Sequence, residues 1–327
     1  MTKDNQAAKK IIVTGGAGFI GSNLVQQLVS LGHSVTVFDN FITGRRDYLK
    51  GLDIKVINGD ITDKELVINS FKNHQVVFHL AAYGNVIDSI NEPENNFNTN
   101  VLGTLNILEA CRLNRINKLI FSSTGGALMG NVAGEVNENS LPKPISPYGA
   151  SKLSCEGYIR AYAECYNIGA VIFRFANVYG PNSLHKKGGV NKFFNGIIKD
   201  QALTIYGDSA RDFIYVSDIV DGLILGLQKE FNKNPLNLFH LSSNSQVKVD
   251  QLAHIMADLL NKKPKIHYCS HRTGEVLQTL SSSKLAQKEL GFHCKININQ
   301  GMAKTIAWYL KQFNLLDLNF IKQDEVC

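Results

Sequence analysis

Residues 11–28, IIVTGGAGFIGSNLVQQL, pass from a β-branched run through four glycines into a helical pattern. Gly15, Gly18 and Gly21 recur at every third position and enclose Gly16-x-Gly18-x-x-Gly21. A strand that turns on glycine into a helix brings bare backbone close to a pyrophosphate, whose charge then sits at the helix N-terminus. Asp39 follows Gly21 by 18 residues, at the end of the next strand-like run, SVTVFD. A carboxylate there can hold a ribose 2′-hydroxyl and repel a 2′-phosphate. The stretch predicts binding of NAD through Gly15, Gly18, Phe19, Ile20 and Gly21, with Asp39 and Asn40 beside the ribose. Arg45 and Arg46 in TGRR could accommodate a 2′-phosphate, but read first as a solvated loop.

Outward from this stretch, short β-branched runs alternate with longer helical ones. KIIVTG, SVTVFD, IKVING, VVFHLA, KLIFSS and AVIFRF read as strands. Helices are expected at about 18–31, 64–71, 97–114 and from Pro147 onward. The alternation predicts a Rossmann-type, doubly wound α/β domain with a parallel sheet covered on both faces. After Asn177 the pattern shifts to Gly/Asn/Lys-rich loops, shorter strands and helices near 250–261 and 299–313. The expected division is an NAD-binding domain over 1–177, with a return segment near 212–242, and a smaller substrate-binding α/β region over 178–327. The last residues, NFIKQDEVC, read as a loosely held tail.

Composition narrows the classes. The net charge of +6 is spread over 34 basic and 28 acidic residues without a long basic block, which argues against nucleic acid or a membrane surface as partner. The six cysteines show no Cys-x-x-Cys spacing, so neither a zinc ribbon nor a disulfide framework is expected, and no metal. No apolar run approaches the roughly 20 residues of a membrane span, and the polar start MTKDNQAAKK is unlike a signal peptide. A soluble, cytoplasmic protein with reduced thiols is expected.

Residues 146–152, SPYGASK, place a phenol and an ammonium four apart just after a proline suited to a helix start. The spacing fits an acid/base pair and equally fits a packed ring beside a solvated lysine. The rest of the chain decides between them.

The ordered motifs TGGAGFIG, DN (39–40), GDI (59–61), HLAA (79–82), NVLGT (100–104), FSSTGG (121–126), YGASK, RFANVYGP (174–181), RDFIYVSD (211–218) and RTGE (272–275) resemble the extended short-chain dehydrogenase/reductase family. The resemblance is to its nucleotide-sugar epimerase/dehydratase branch and runs from Lys10 to about Leu310. It implies that Tyr148 is the acid/base, that Lys152 bonds the nicotinamide ribose, and that Thr124, with Ser123 as stand-in, bonds the reacting oxygen. Lys152 and oxidised nicotinamide would lower the phenol's ordinary pKa of about 10. Adenine contacts are implied for Asp60 and Ile61, a cofactor-lining role for Leu80, Ala81, Ala82 and Ser122, and a structural or cofactor role for Asn100. For the substrate, a nucleotide sugar expected to be UDP-linked, the resemblance points to Asn177, Arg211 and Arg272. Tyr206 either meets the base or fills core.

The implied activity is NAD-dependent epimerisation at C4 through a transient 4-ketose, on a UDP-hexose, UDP-N-acetylhexosamine or UDP-uronate. An NAD(P)-dependent reductase or dehydrogenase and a non-catalytic nucleotide-binding protein are the alternatives. Three departures bear on specificity. Met129 stands where the family usually has a tyrosine, and the loop before Arg211 is short. Gly125-Gly126 replaces the Asp-Glu that follows the threonine of a 4,6-dehydratase. Thr279, seven residues after Arg272, falls where small side chains admit a 2-acetamido group. Similar proteins pair helices near 97–114 and 148–167 across a homodimer.

Overall fold

The computed structural model describes residues 7–132, 134–231, 234–272, 274, 276–278 and 280–313. The first half of the chain runs β1 (Lys10–Thr14), α1 (Phe19–Ser30), β2 (Ser34–Asp39), β3 (Lys55–Asn58), α2 (Lys64–Ser70), β4 (Val76–His79), α3 (Val86–Asn91), α4 (Pro93–Phe97), α5 (Gly103–Leu113), β5 (Lys118–Thr124), α6 (Gly126–Met129), α7 (Pro147–Tyr166) and β6 (Gly169–Phe175). The second half runs β7 (Asn177–Tyr179), α8 (Gly189–Ile198), β8 (Leu203–Tyr206), β9 (Ala210–Tyr215), α9 (Val216–Gln228), β10 (Leu236–Leu241), β11 (Gln246–Lys248), α10 (Val249–Leu259), β12 (Ile266–Cys269), α11 (Lys284–Leu290) and α12 (Ile298–Gln312).

Seven strands form one sheet in the order β10-β6-β5-β4-β1-β2-β3. Every pairing in it is parallel. Helices cover both faces, so the central strands are almost wholly buried, as the apolar runs IIV of β1 and AVIF of β6 require. Two apolar cores result, one per face: Val13, Leu24, Phe78, Phe173, Leu223 and Phe239 on one side, and Ile12, Phe38, Phe121, Ile159 and Ile172 on the other. The reversal of strand order between β1 and β4 opens a crevice at their carboxyl ends, where a doubly wound sheet takes its ligand.

Smaller sheets, β11-β9-β7 and β12-β8, sit with α8, α10 and α12 around a third core that includes Phe194, Leu252, Met256, Ile306 and Tyr309. Of residues 212–242, the first four belong to β9 in a small sheet; only α9 and β10 rejoin the main one. Ala286 and Phe292, much later in the chain, pack into the first core. The Gly/Lys-rich stretch after Asn177 contains α8, whose Phe193, Phe194 and Ile197 are buried on one face.

The helix expected over 97–114 is broken. α4 ends at Phe97, a π-helical turn spans Asn98–Leu102, and α5 begins at Gly103. Such turns insert a residue and re-aim side chains, here that of Asn100. The edge strand β3 is short and largely exposed, with a lysine at its start, and on the other edge the His240 amide of β10 donates to Glu138 Oε1 at 2.8 Å. Among the described residues no helix is long and apolar enough to cross a membrane. The C-terminal residues read as a tail lie outside the described residues.

Candidate active site

The glycine turn lies at the crevice. Gly15 has φ +67°, and a Cβ there would stand 2.7 Å from the Ala81 amide nitrogen. A Cβ on Gly21 would meet the Gly15 carbonyl oxygen at 2.1 Å. Turn, helix and the loop after β4 are thus in backbone contact that only glycine permits. Gly18 caps α1 without a side-chain hydrogen bond, so the first amides of the helix have no side-chain acceptor of their own. Phe19 is buried and Ile20 half-buried in the first turn of α1. These features fit a dinucleotide diphosphate.

Asp39 is 7% exposed and already engaged: Oδ2 accepts from the Ala17 amide at 2.9 Å and Oδ1 from the Phe41 amide at 2.8 Å. It thereby ties the glycine turn to the loop after β2, and the carboxylate retains lone pairs for a further donor. Burial raises its pKa, against these two bonds. Asn40 Nδ2 donates to Asp60 Oδ2 at 2.7 Å, and Asp60 Oδ1 accepts from the amide and hydroxyl of Thr62. Burial pulls the Asp60 pKa up, but these hydrogen bonds outweigh it and leave the group below its ordinary value. Ile61 is buried, with its carbonyl accepting from Asn106. The guanidinium of Arg46 stacks on the Phe41 ring at 4.0 Å, and the Arg45 amide donates to the Ala17 carbonyl.

The loop after β4 is anchored twice. The Leu80 and Ala81 amides donate to the carbonyl and the hydroxyl of Thr14, and Ala82 is exposed. Asn100 is buried; its Oδ1 accepts from the Tyr83 amide at 2.8 Å and its Nδ2 donates to Ser151 Oγ at 2.9 Å. It joins this loop to the start of α7, the structural one of its two expected roles.

Ser146 accepts from the Gly149 amide, and Pro147 occupies the first turn of α7. This start turns Tyr148 and Lys152 onto the end of β5. The Tyr148 phenol lies beside Thr124 at the end of β5. Lys152 is 3% exposed; its Nζ donates to the Ser122 carbonyl at 2.8 Å and stands 4.6 Å from the centre of the Phe121 ring. Burial lowers the Lys152 pKa to about 8, opposed by Cys155 and Glu156. Burial also pushes Tyr148 up to about 12, with Cys155 adding to the rise and Thr124 opposing it. In the chain alone, loss of water around the phenol is the largest influence on it.

Ser123 requires a correction. Side chains alternate along β5, so Ser123 faces away from Thr124. Its hydroxyl donates to Glu156 Oε1 at 2.6 Å, which removes it as a stand-in for the catalytic hydroxyl. Ser122 donates to the His79 carbonyl and presents its own carbonyl to Lys152.

His79 carries a role that the reading of HLAA did not assign. It is buried between Thr14, 2.8 Å from Nδ1, and Thr104, 3.0 Å from Nε2. Thr104 gives its own proton to Cys155 Sγ, so Nε2 donates and Nδ1 accepts from Thr14. Burial, then Lys152, lowers the ring's pKa to about 3. His79 is thus a neutral bridge linking β1, β4 and α5 beneath the site. Only its neighbours in space reveal this.

In the smaller region, Asn177 is exposed and donates to the Asp212 carbonyl at 3.2 Å. Arg211 Nη1 donates to the Ala210 and Leu277 carbonyls at 3.0 and 2.7 Å. The Arg272 guanidinium lies 3.4 Å from the centre of the Tyr206 ring, so one face of that ring carries a cation. Thr279 lies outside the described residues. Met129 is 1% exposed and packs with Leu128, Val132, Val136 and Leu153, so it fills core instead of facing a sugar. A Cβ on Gly125 would lie 3.0 Å from Ser281 Oγ and 3.5 Å from His240 Nδ1, which leaves little room for an acid there.

The model of the NAD dependent epimerase/dehydratase family matches residues 11–239. The UDP-glucose 4-epimerase of Mycolicibacterium smegmatis is 29% identical over 316 residues, covering 92% of this chain and 98% of its own. The crystal structure of UDP-glucose 4-epimerase from Thermotoga maritima with UDP-glucose is similar at TM-score 0.88 and 33% identity, over 93% of this chain and 99% of that one. The UDP-glucose 4-epimerase of Thermus thermophilus in complex with NAD is similar at TM-score 0.86 and 32% identity, over 92% and 98%.

Proposed function

The chain belongs to the NAD dependent epimerase/dehydratase family, and we propose that it inverts C4 of a UDP-linked hexose with Tyr148 as proton carrier. It is an NAD-dependent nucleotide-sugar epimerase. The observation that carries the assignment of roles is the placement of the Tyr148 phenol beside Thr124, with Lys152 buried one helical turn away and bonded to the Ser122 carbonyl.

NAD⁺, which the glycine turn and Asp39 would hold, would supply the reversible hydride acceptor for C4, so that none would be consumed. The chain moves the proton. Tyr148 Oη takes it from the 4-hydroxyl as the carbonyl forms, and Thr124 holds that oxygen in line. Lys152, fixed by the Ser122 carbonyl, keeps a positive charge beneath the site. Rotation of the 4-ketose presents its opposite face, and Tyr148 Oη gives the proton back. Burial pushes the phenol up to about 12, so its ionisation for the first half relies on positive charge arriving with the cofactor. Arg211 and Arg272 would grip the diphosphate of the sugar nucleotide, with Asn177 beside the sugar. Crowding at Gly125 disfavours the acid pair of a dehydratase.

The division of labour follows the architecture: the seven-stranded sheet with α9 and β10 for NAD, the third core and its small sheets for the nucleotide sugar. Exposed Phe97, Leu102, Tyr158 and Tyr166 on the segments of α4 to α5 and on α7 suit pairing with a second copy. Cytoplasmic residence suits the five described cysteines, all free thiols.

Incubation with UDP-glucose and no added NAD should yield UDP-galactose by NMR, without a lasting rise in reduced-nicotinamide absorbance. Stoichiometric accumulation of reduced nicotinamide would show a dehydrogenase instead. UDP-N-acetylglucosamine and UDP-glucuronate belong in the same panel; the small Thr279 favours turnover of the first.

A further inference from the structure

The loop after β7 doubles back along the first turns of α1. Asn23 Nδ2 donates to the Pro181 carbonyl at 3.2 Å, and Asn182 Nδ2 donates to Ser22 Oγ at 3.0 Å. Asn182 adopts φ +67°, and Ser183 shares a hydrogen bond with the buried Tyr309 hydroxyl at 2.7 Å. The loop then carries two lysines in opposite directions. Lys187 Nζ pairs with Asp88 of α3 at 2.9 Å, while Lys186 Nζ stands 5.0 Å from the centre of the Phe19 ring at the start of α1. It therefore spans the crevice from the glycine turn after β1 to the helix after β4.

The Lys186 side chain is exposed, and its ammonium lies over the Phe19 ring. The face of an aromatic ring holds such a cation without neutralising it. Phe19 is also the first residue of α1, directly after the uncapped Gly18. A positive charge and a row of free amides thus converge on one spot.

We propose that Lys186 is a further diphosphate-binding residue of the cofactor site, delivered by a loop from the substrate-binding side of the molecule. The inference rests on the NAD reading above. Diphosphate is also the centre of the sugar nucleotide, but Arg211 and Arg272 are held by Leu277 and Tyr206, whereas Lys186 is held by Phe19 of the glycine turn. The cofactor's diphosphate is the one it meets.

The test uses the full chain stripped of bound nucleotide, with binding of NAD⁺, ADP-ribose, adenosine and UDP measured by calorimetry. Lys186→Met keeps the apolar stem and removes the charge. It should weaken NAD⁺ and ADP-ribose alike by about tenfold, leave adenosine and UDP within about twofold, and be largely rescued in Lys186→Arg. Unchanged NAD⁺ and ADP-ribose with a lowered melting temperature would reduce Lys186 to a structural contact with Phe19 and overturn the proposal. Weakened UDP with unchanged NAD⁺ would overturn it in favour of the substrate's diphosphate. A wild-type protein that binds no NAD⁺ would remove the cofactor reading itself, and the proposal with it.

Discussion

Glu156 of α7 and Arg174 of β6 form a forked ion pair inside the molecule, with Oε2 to Nη2 at 2.7 Å and Oε1 to Nε at 3.0 Å, and side chains only 7% and 5% exposed. Glu156 also receives the Ser123 hydroxyl, one residue before Thr124 on β5. The pair therefore pins the catalytic helix to the two strands beneath it. A planar guanidinium is required for this double contact.

Breaking the pair from one side strands a buried charge. Glu156→Ala is expected to lower unfolding free energy by about 3–5 kcal/mol in urea titration. A loss below about 1 kcal/mol would mean that water reaches Arg174 and that the anchor is weaker than its geometry.

Removing the phenol should separate chemistry from binding. Tyr148→Phe keeps the ring, and turnover of the UDP-sugar should fall by at least about 10²-fold. NAD carried through purification should be unchanged, because the glycine turn is untouched. Near-normal turnover followed by NMR would refute Tyr148 as proton carrier.

Acid should destabilise the fold through its buried histidines. His79 and His240 each have a pKa lowered to about 3, first by burial, against about 6.5 in the unfolded chain. Between these values the unfolded state binds protons that the folded state refuses, so stability is full above about pH 6.5 and falls as pH drops towards 3. The slope is about 1.4 kcal/mol per pH unit for each histidine. Urea midpoints from pH 7 to pH 5 will show it, and the pH dependence should become shallower in His79→Gln. An unaltered slope in that variant would place the acid sensitivity elsewhere.

Restoring a tyrosine at position 129 should harm the protein. Met129 is enclosed by Leu128, Val136 and Leu153, and a larger ring with a hydroxyl overfills that cluster. Met129→Tyr is expected to lose about 1–3 kcal/mol of stability, read as a lower melting temperature. Gain of activity without loss of stability would show that the side chain can reach the sugar after all.

The linear order of residues was enough for the layered sheet, because strand and helix periodicities are local and β1 and β6 carry the apolar runs IIV and AVIF. The glycine turn was legible for the same reason: Gly15 and Gly21 meet across a few residues of chain. The family resemblance supplied Tyr148 and Lys152, and the fold places both at the end of β5. Position along the chain could not say which serine of FSST faces the site, because that depends on where α7 puts Glu156. Nor could it show His79 bridging Thr14 and Thr104, the inward turn of Met129, or Lys186 lying over Phe19. Those contacts join residues up to 167 positions apart. Such pairings, and the loss of water that resets the ionisation of Tyr148 and Lys152, exist only once the chain has closed around them.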